Sequence, residues 1–223
     1  LLKKSKKKLK KLNPSNKIKR INPDSPDPLL LKEAAEIIRE GGVVVFPTKC
    51  LYGLAADAMN REAVAKIFKI KGRSPAKPLL VLIKEQKALE TIVKDIPVNA
   101  QRLMAKFWPG NMTLIFFARQ NLPPLLTGNS GKIGVRLPGH PAASALTKLL
   151  ENPITATSAN LSGKSGCSNI GQLDLKILLE VDLVLDAGPL QGGIGSTIVD
   201  TTEKRLLILR EGTTSSKQVF NSQ

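Results

Sequence analysis

Residues 68–83 read Phe68-Lys69-Ile70-Lys71-Gly72-Arg73-Ser74-Pro75-Ala76-Lys77-Pro78-Leu79-Leu80-Val81-Leu82-Ile83. Helical spacing from Glu62 to Phe68 leads in, and the apolar run Leu79–Ile83 has the length and composition of a buried strand. Between them, residues 68–78 hold four basic side chains, one glycine and two prolines. A loop between a helix and a strand is a rigid mount from which charges can be aimed at one point. Cations held together repel unless an anion sits among them, and a phosphate-rich ligand is the natural counter-charge. The competing reading is a solvated basic loop, since charge runs are usually surface.

Working outward, the 223 residues suffice for one large domain or two small ones. A hydrophobic content of 42% suits a globular core, and 4% aromatics makes that core mostly aliphatic. The net charge of +16 is unevenly spread: residues 1–20 carry ten Lys and Arg and no acid, leaving +6 on the rest. That balance suits a polyanionic partner such as nucleotide or RNA. The first twenty residues are expected to be a basic, disordered segment, because they are self-repelling and poor in core residues. Residues 21–223 are expected to form a single domain. Cys50 and Cys167 form no C-x-x-C pair, so neither a zinc site nor a disulfide scaffold is indicated. No apolar run approaches ~20 residues, so no membrane span is expected.

Along the chain, Asp27 and Pro28 open a helix that Gly41-Gly42 stops near Glu40. A buried strand at Val43–Phe46 runs into the polar turn Pro47–Leu54, a position where α/β proteins often place ligand groups. Further helices are expected at Glu62–Ile70, near Glu85–Lys94, at Val98–Phe107, Pro141–Leu150 and Gln172–Glu180. Strands are expected at Thr113–Ala118, Ile133–Leu137, Ile154–Ala156, Val181–Leu185, Ile198–Asp200 and Leu206–Leu209, and residues 120–131 are expected to be flexible. Helices and strands are interspersed without regular alternation, which predicts an α/β domain with a mixed twisted sheet rather than a doubly wound parallel one. Arg136 lies inside an apolar strand, where burial without an anion costs several kcal/mol. It is a candidate for gripping a carboxylate in bidentate fashion, or for a salt bridge to an acid of the protein. The loop Thr157–Gly163 can offer hydroxyls and backbone amides to phosphate oxygens, and by itself would pass as a turn. Gly192–Thr197 is a Gly-rich turn without the Gly-Lys-Ser/Thr of a phosphate loop.

Taken together, the spaced segments Pro47-Thr48 with Tyr52-Gly53-Leu54, Lys71-Gly72-Arg73 with Lys77-Pro78-Leu79, Trp108-Pro109-Gly110 with Thr113, Val135-Arg136-Leu137-Pro138 with His140-Pro141, Ser158–Gly163, and Gly195-Ser196-Thr197-Ile198 resemble the YrdC-like L-threonylcarbamoyladenylate synthases. They occur in the family's order over residues 25–212. The resemblance implies a YrdC-like α/β fold: a twisted mixed parallel and antiparallel sheet with flanking helices and a concave basic cavity. It implies a cytoplasmic nucleotidyltransferase of tRNA modification that joins L-threonine, bicarbonate or CO2, and ATP into threonylcarbamoyl-AMP and pyrophosphate. A partner transferase would then carry the threonylcarbamoyl group to tRNA. It further implies that Lys71, Arg73, Lys77, Lys132, Ser158, Asn160 and Arg210 bind ATP, and that Thr48, Arg136, Ala156 and Ser196 hold threonine. Magnesium ion would be bound through ATP phosphates, with no direct protein ligand and no side-chain nucleophile.

The chain departs from the family pattern at Lys49 and Cys50, where an acid and a threonine are usual. It also departs at Leu82, in place of a histidine, and at Glu211, in place of a proline. Cys50 reads as a small filler and His140 as a residue fixing a turn. The longer relatives carry a C-terminal domain that is not expected within these residues. The alternative reading of the whole is a non-catalytic module gripping tRNA or double-stranded RNA through its basic cavity.

Overall fold

Apolar runs of four to six residues become strands, and amphipathic stretches closed by identifiable caps become the helices that cover them. The computed structural model describes residues 14–221. A 3-10 turn, Pro14–Lys17, leads into β1 (Ile18–Arg20), followed by α1 (Pro28–Arg39), β2 (Val44–Pro47), β3 (Tyr52–Ala55) and α2 (Arg61–Lys71). Next come β4 (Leu80–Leu82), a 3-10 helix Gln86–Thr91, α3 (Val98–Phe107), β5 (Met112–Phe117), α4 (Pro124–Thr127) and β6 (Lys132–Arg136). The chain continues through α5 (Pro141–Lys148), β7 (Ile154–Thr155), β8 (Thr157–Ser158), a 3-10 turn Ile170–Gln172 and α6 (Leu175–Glu180). It closes with β9 (Leu183–Asp186), β10 (Thr197–Asp200), β11 (Leu207–Arg210) and α7 (Ser216–Phe220).

The strands form two sheets, ordered β1-β9-β2-β3-β8 and β11-β10-β5-β6-β4-β7. Both are mixed: β9 runs parallel to β1 and β2, β5 parallel to β10, and β6 parallel to β4, while the remaining pairs are antiparallel. The mixed α/β architecture therefore holds, divided over two sheets instead of one. The sheets meet where one segment serves both. Ile154 and Thr155 pair with β4, Thr157 and Ser158 pair with β3, and Ala156 stands between them.

The main core packs α2 and α3 with β3, β5 and β6, including Leu54, Ile67, Leu114, Phe116, Ile133 and Val135. A second core packs α1 and α5 against the other face of β2 and β9, including Ile38, Phe46, Leu146 and Leu185. Asp27 caps α1 by accepting from the Leu29 N–H at 2.8 Å, with Pro28 in the first helical position. Asn60 caps α2 by accepting from Glu62 and Ala63.

Several expectations change. Residues 14–20 are not a loose tail: Ile18–Arg20 pair with Val184–Asp186, and Arg20 meets Asp186 at 2.7 Å. The Lys-rich run concealed a strand whose alternate Ile18 packs on the core; residues 1–13 lie outside the described residues. The stretch Pro47–Leu54 is not all turn, because Tyr52–Ala55 return as a strand beside β2. The helix expected over 85–94 shortens to the 3-10 helix Gln86–Thr91, and the one over 172–180 begins at Leu175, where Asp174 caps it. A short helix, Pro124–Thr127, interrupts the stretch expected to be flexible.

Candidate active site: a basic cavity where the sheets meet

Each wall of the cavity is built by a local device. Helix α2 ends at Gly72, whose φ of +57° is a conformation that glycine adopts at little cost. The chain reverses there, with Gly72 N–H bonding Lys69 O and Arg73 N–H bonding Phe68 O, so Arg73 faces the cavity while Lys71 stays on the buried face of the helix. Arg73 then braces its own loop, donating from Nε to Lys77 O at 3.1 Å and from Nη2 to Pro78 O at 2.8 Å. Thr48 closes a turn onto Leu51 O through both its N–H and its hydroxyl. Arg210, near the edge of the second sheet, donates to Ser196 O at 2.8 and 3.0 Å and to Ser196 Oγ at 3.1 Å. Gly212 permits this approach. A Cβ there would lie 2.4 Å from Gly195 O and Ser196 C, both backbone atoms.

The result is a cavity of about 270 Å3 lined by Thr48, Arg73, Arg136, Ala156, Ser158, Ser196 and Arg210, together with Cys50, Asn111, Thr113 and apolar residues. Among the described residues, three guanidinium groups line it and no carboxylate does. Arg136 is its deepest charge, only 7% exposed. Its Nη1 donates to Asn111 Oδ1 at 3.1 Å, its Nε is buried without a hydrogen-bond partner, and no acid of the described residues pairs with it. Burial and the neighbouring Arg210 charge push the Arg136 guanidinium down to about 10, so it remains charged at neutral pH. The salt-bridge reading of Arg136 is thereby excluded among the described residues. A buried cation without an internal counter-charge is a place where a bound anion would be stabilised.

Seven of the eleven sequence-expected site residues come together in this way. Four do not line the cavity. Lys132 is turned to Asp200 at 3.0 Å and Glu203 at 3.5 Å. Nothing in the sequence warned of this, because those acids lie on and just beyond β10, which only the pairing of both β6 and β10 with β5 brings near. Lys77 is exposed, next to Pro78 of the wall. Lys71 is 2% exposed, with its ammonium on Ser158 O, Asn160 O and Asn160 Oδ1. The Asn160 side chain is consumed by Lys71, by the Ser158 hydroxyl and by the carbonyls of Leu161 and Lys164.

Two contributors had no site role in the sequence reading, Asn111 and Thr113, although Thr113 stands in one of the quoted motifs. Asn111 holds Arg136 and also donates to Cys50 Sγ at 3.3 Å and Thr213 Oγ1 at 3.1 Å. Thr113 meets Ser196 hydroxyl to hydroxyl at 3.0 Å. The available signal was a polar pair flanking the start of a strongly apolar strand. Cys50 is buried against the cavity, in keeping with a filler. His140 caps α5, its Nδ1 accepting from the Ala142 N–H at 3.2 Å.

The family model Sua5_yciO_yrdC, described as telomere recombination, matches residues 36–212. The chain belongs to the Sua5/YciO/YrdC family. Within this family, it is 38% identical over 182 residues to a threonylcarbamoyl-AMP synthase of Pyrococcus abyssi, covering 82% of this chain and 54% of that protein. A putative threonylcarbamoyl-AMP synthase of Mycobacterium tuberculosis is 34% identical over 186 residues, covering 83% and 85%. The crystal structure of P. abyssi Sua5 complexed with L-threonine superposes with a TM-score of 0.87 at 34% identity, over 92% of this chain and 60% of that one. E. coli YciO superposes with a TM-score of 0.82 at 30% identity, over 91% and 98%. The chain thus spans about half the length of the Pyrococcus synthase it matches.

Among the described residues no group of three or more His, Cys, Asp or Glu could hold a metal, and no helix is long and apolar enough to cross a membrane.

Proposed function

We propose that this chain is an L-threonylcarbamoyladenylate synthase, forming threonylcarbamoyl-AMP and pyrophosphate from L-threonine, bicarbonate or CO2, and ATP. The observation that carries the reading is Arg136, buried and without an acid partner, in one cavity with Arg73 and Arg210. One anion, threonine's carboxylate, would take the deep guanidinium, with Thr48, Ala156 and Ser196 around the amino acid. A second, the triphosphate, would lie toward Arg73, Ser158 and Arg210. The relatives named as synthases and the related structure holding L-threonine support the same assignment.

The chemistry then asks little of side chains. Threonine's neutral amine adds to CO2 and loses a proton to give a carbamate. A carbamate oxygen attacks the α-phosphorus of ATP, the bond to the β-phosphate oxygen breaks, and pyrophosphate leaves. Guanidinium groups fixed before the reaction can stabilise the charge that moves onto the leaving oxygens. Holding carbamate and phosphorus in line supplies the rest. Among the described residues the lining offers hydroxyls and no carboxylate, a donor set that fits magnesium delivered by the triphosphate's own oxygens. The product is an activated acyl adenylate, so a transferase acting on tRNA would consume it, in the cytoplasm.

The test is pyrophosphate release from ATP with threonine and bicarbonate each omitted in turn. Release should need both. Release that ignores both omissions would reject the synthase reading, and tRNA binding without any turnover would favour the RNA-binding alternative.

A further inference from the structure

We infer that Lys71 and Asn160 are positioning residues, which hold the 158–162 loop so that Ser158 forms the cavity wall, and are not ligands of the nucleotide. The inference rests on the reading that the cavity takes a nucleoside triphosphate.

A lysine ammonium has three N–H bonds. In Lys71 all three have acceptors: Ser158 O, Asn160 O at 2.6 Å and Asn160 Oδ1 at 3.3 Å. None is left for a phosphate oxygen. The side chain is almost wholly buried and does not line the cavity, whereas Ser158 does. The backbone of the same residue grips the same loop, Lys71 O accepting from the Ser162 N–H at 2.8 Å. Asn160 completes the clamp. Its Oδ1 accepts from Lys71 and from the Ser158 hydroxyl, and its Nδ2 donates to Leu161 O and Lys164 O. Among the described residues no carboxylate neutralises the ammonium; its partners are the dipoles of neutral amides. The charged group acting on it is Arg73, in the loop after α2; the Cys167 thiol, which burial keeps protonated, lies beyond the clamped loop. The clamp therefore sets the shape of the wall that a triphosphate would face.

Two experiments test this. In the first, the unsubstituted chain is treated with an amine-acetylating reagent, with and without ATP, and the lysines are read by mass spectrometry. Lys71 should resist acetylation in both samples. Acetylation without ATP and protection by ATP would overturn the inference, since that is how a phosphate-binding lysine behaves. In the second, ATP and threonine affinities are measured for Lys71→Met, Ser158→Ala and the double variant. Lys71→Met should weaken ATP binding about tenfold, leave threonine binding within about twofold, and make Ser158→Ala nearly silent in its background. Multiplying effects, unchanged ATP affinity, or equal loss of both ligands would each overturn it. If Lys71→Met does not fold, Lys71→Gln takes its place. Failure of the unsubstituted chain to bind ATP would instead sink the functional reading, while the acetylation pattern would still report whether Lys71 is reachable.

Discussion

At the scale of the residue, the two cations Lys71 and Arg73 look alike in sequence and do opposite things. Lys71 follows Val64 and Ile67 at helical spacing, so it points inward with them; Arg73 lies past the glycine and points to the cavity. The phase of the helix made this legible, although the charge of the segment drew the reading toward phosphate. Burial, with Arg73 next in effect, pushes the Lys71 ammonium down to about 7. As pH rises through that value the group loses a proton, and the clamp keeps two N–H donors for three acceptors. The ratio of ATP affinities, unsubstituted chain over Lys71→Met, should therefore fall between about pH 6 and pH 8, since the titration of ATP's own phosphate is common to both. Isothermal calorimetry of the two proteins across the range checks it. Arg136→Ala should raise the threonine KM by about 10- to 100-fold, the size expected for a charge-assisted contact, with a much smaller effect on ATP. Initial-rate kinetics with each substrate varied would detect the asymmetry.

At the scale of the element, the stretches that were legible are those where one face decides. The helices α1, α2, α3 and α5, and the strands β2, β5, β6 and β10, lie within two residues of their expected ends. Strand β3 was missed because Tyr-Gly-Leu-Ala after a polar turn carries no alternation: all four of its residues are buried. Strand β1 was missed because the Lys-rich run preceding it masked an Ile-Lys-Arg strand that gains its partner from β9, far along the chain. Of the seven cavity residues, Thr48, Arg73, Arg136, Ser158 and Ser196 were legible because they sit in spaced motifs, while Ala156 and Arg210 were reached only through the family resemblance. The place of Lys132 was not legible, because its acid partners are fixed by tertiary contact. The approach of β11 to β10 belongs to this scale too. Gly212→Ala should destabilise the fold by about 1–3 kcal/mol, since the added methyl meets backbone that cannot give way. Activity should fall with it, because Arg210 and Ser196 share that corner. Urea unfolding and pyrophosphate release measure the two effects.

At the scale of the whole molecule, two cores flank the five-stranded sheet, and its edge is finished by residues that composition assigned to a loose tail. Removing residues 1–20 should lower Tm by about 2–6 °C relative to removing residues 1–13, because it bares β9 as an open edge and strips Ile18 from the core. Differential scanning calorimetry would show it, and equal Tm values would mean that β1 contributes nothing. The two sheets share the 154–158 segment, with Ala156 at the crossing and in the cavity wall. No hollow exists until both halves have closed on that segment, so completing the fold and gaining affinity are a single event. Small occupants should consequently act as folding aids. Near a hundredfold excess over Kd, a bound substrate should raise Tm by about 5–10 °C. A weakened variant with its lesion far away, in the α1–α5 layer, would betray itself first as a cell's heightened need for nucleotide.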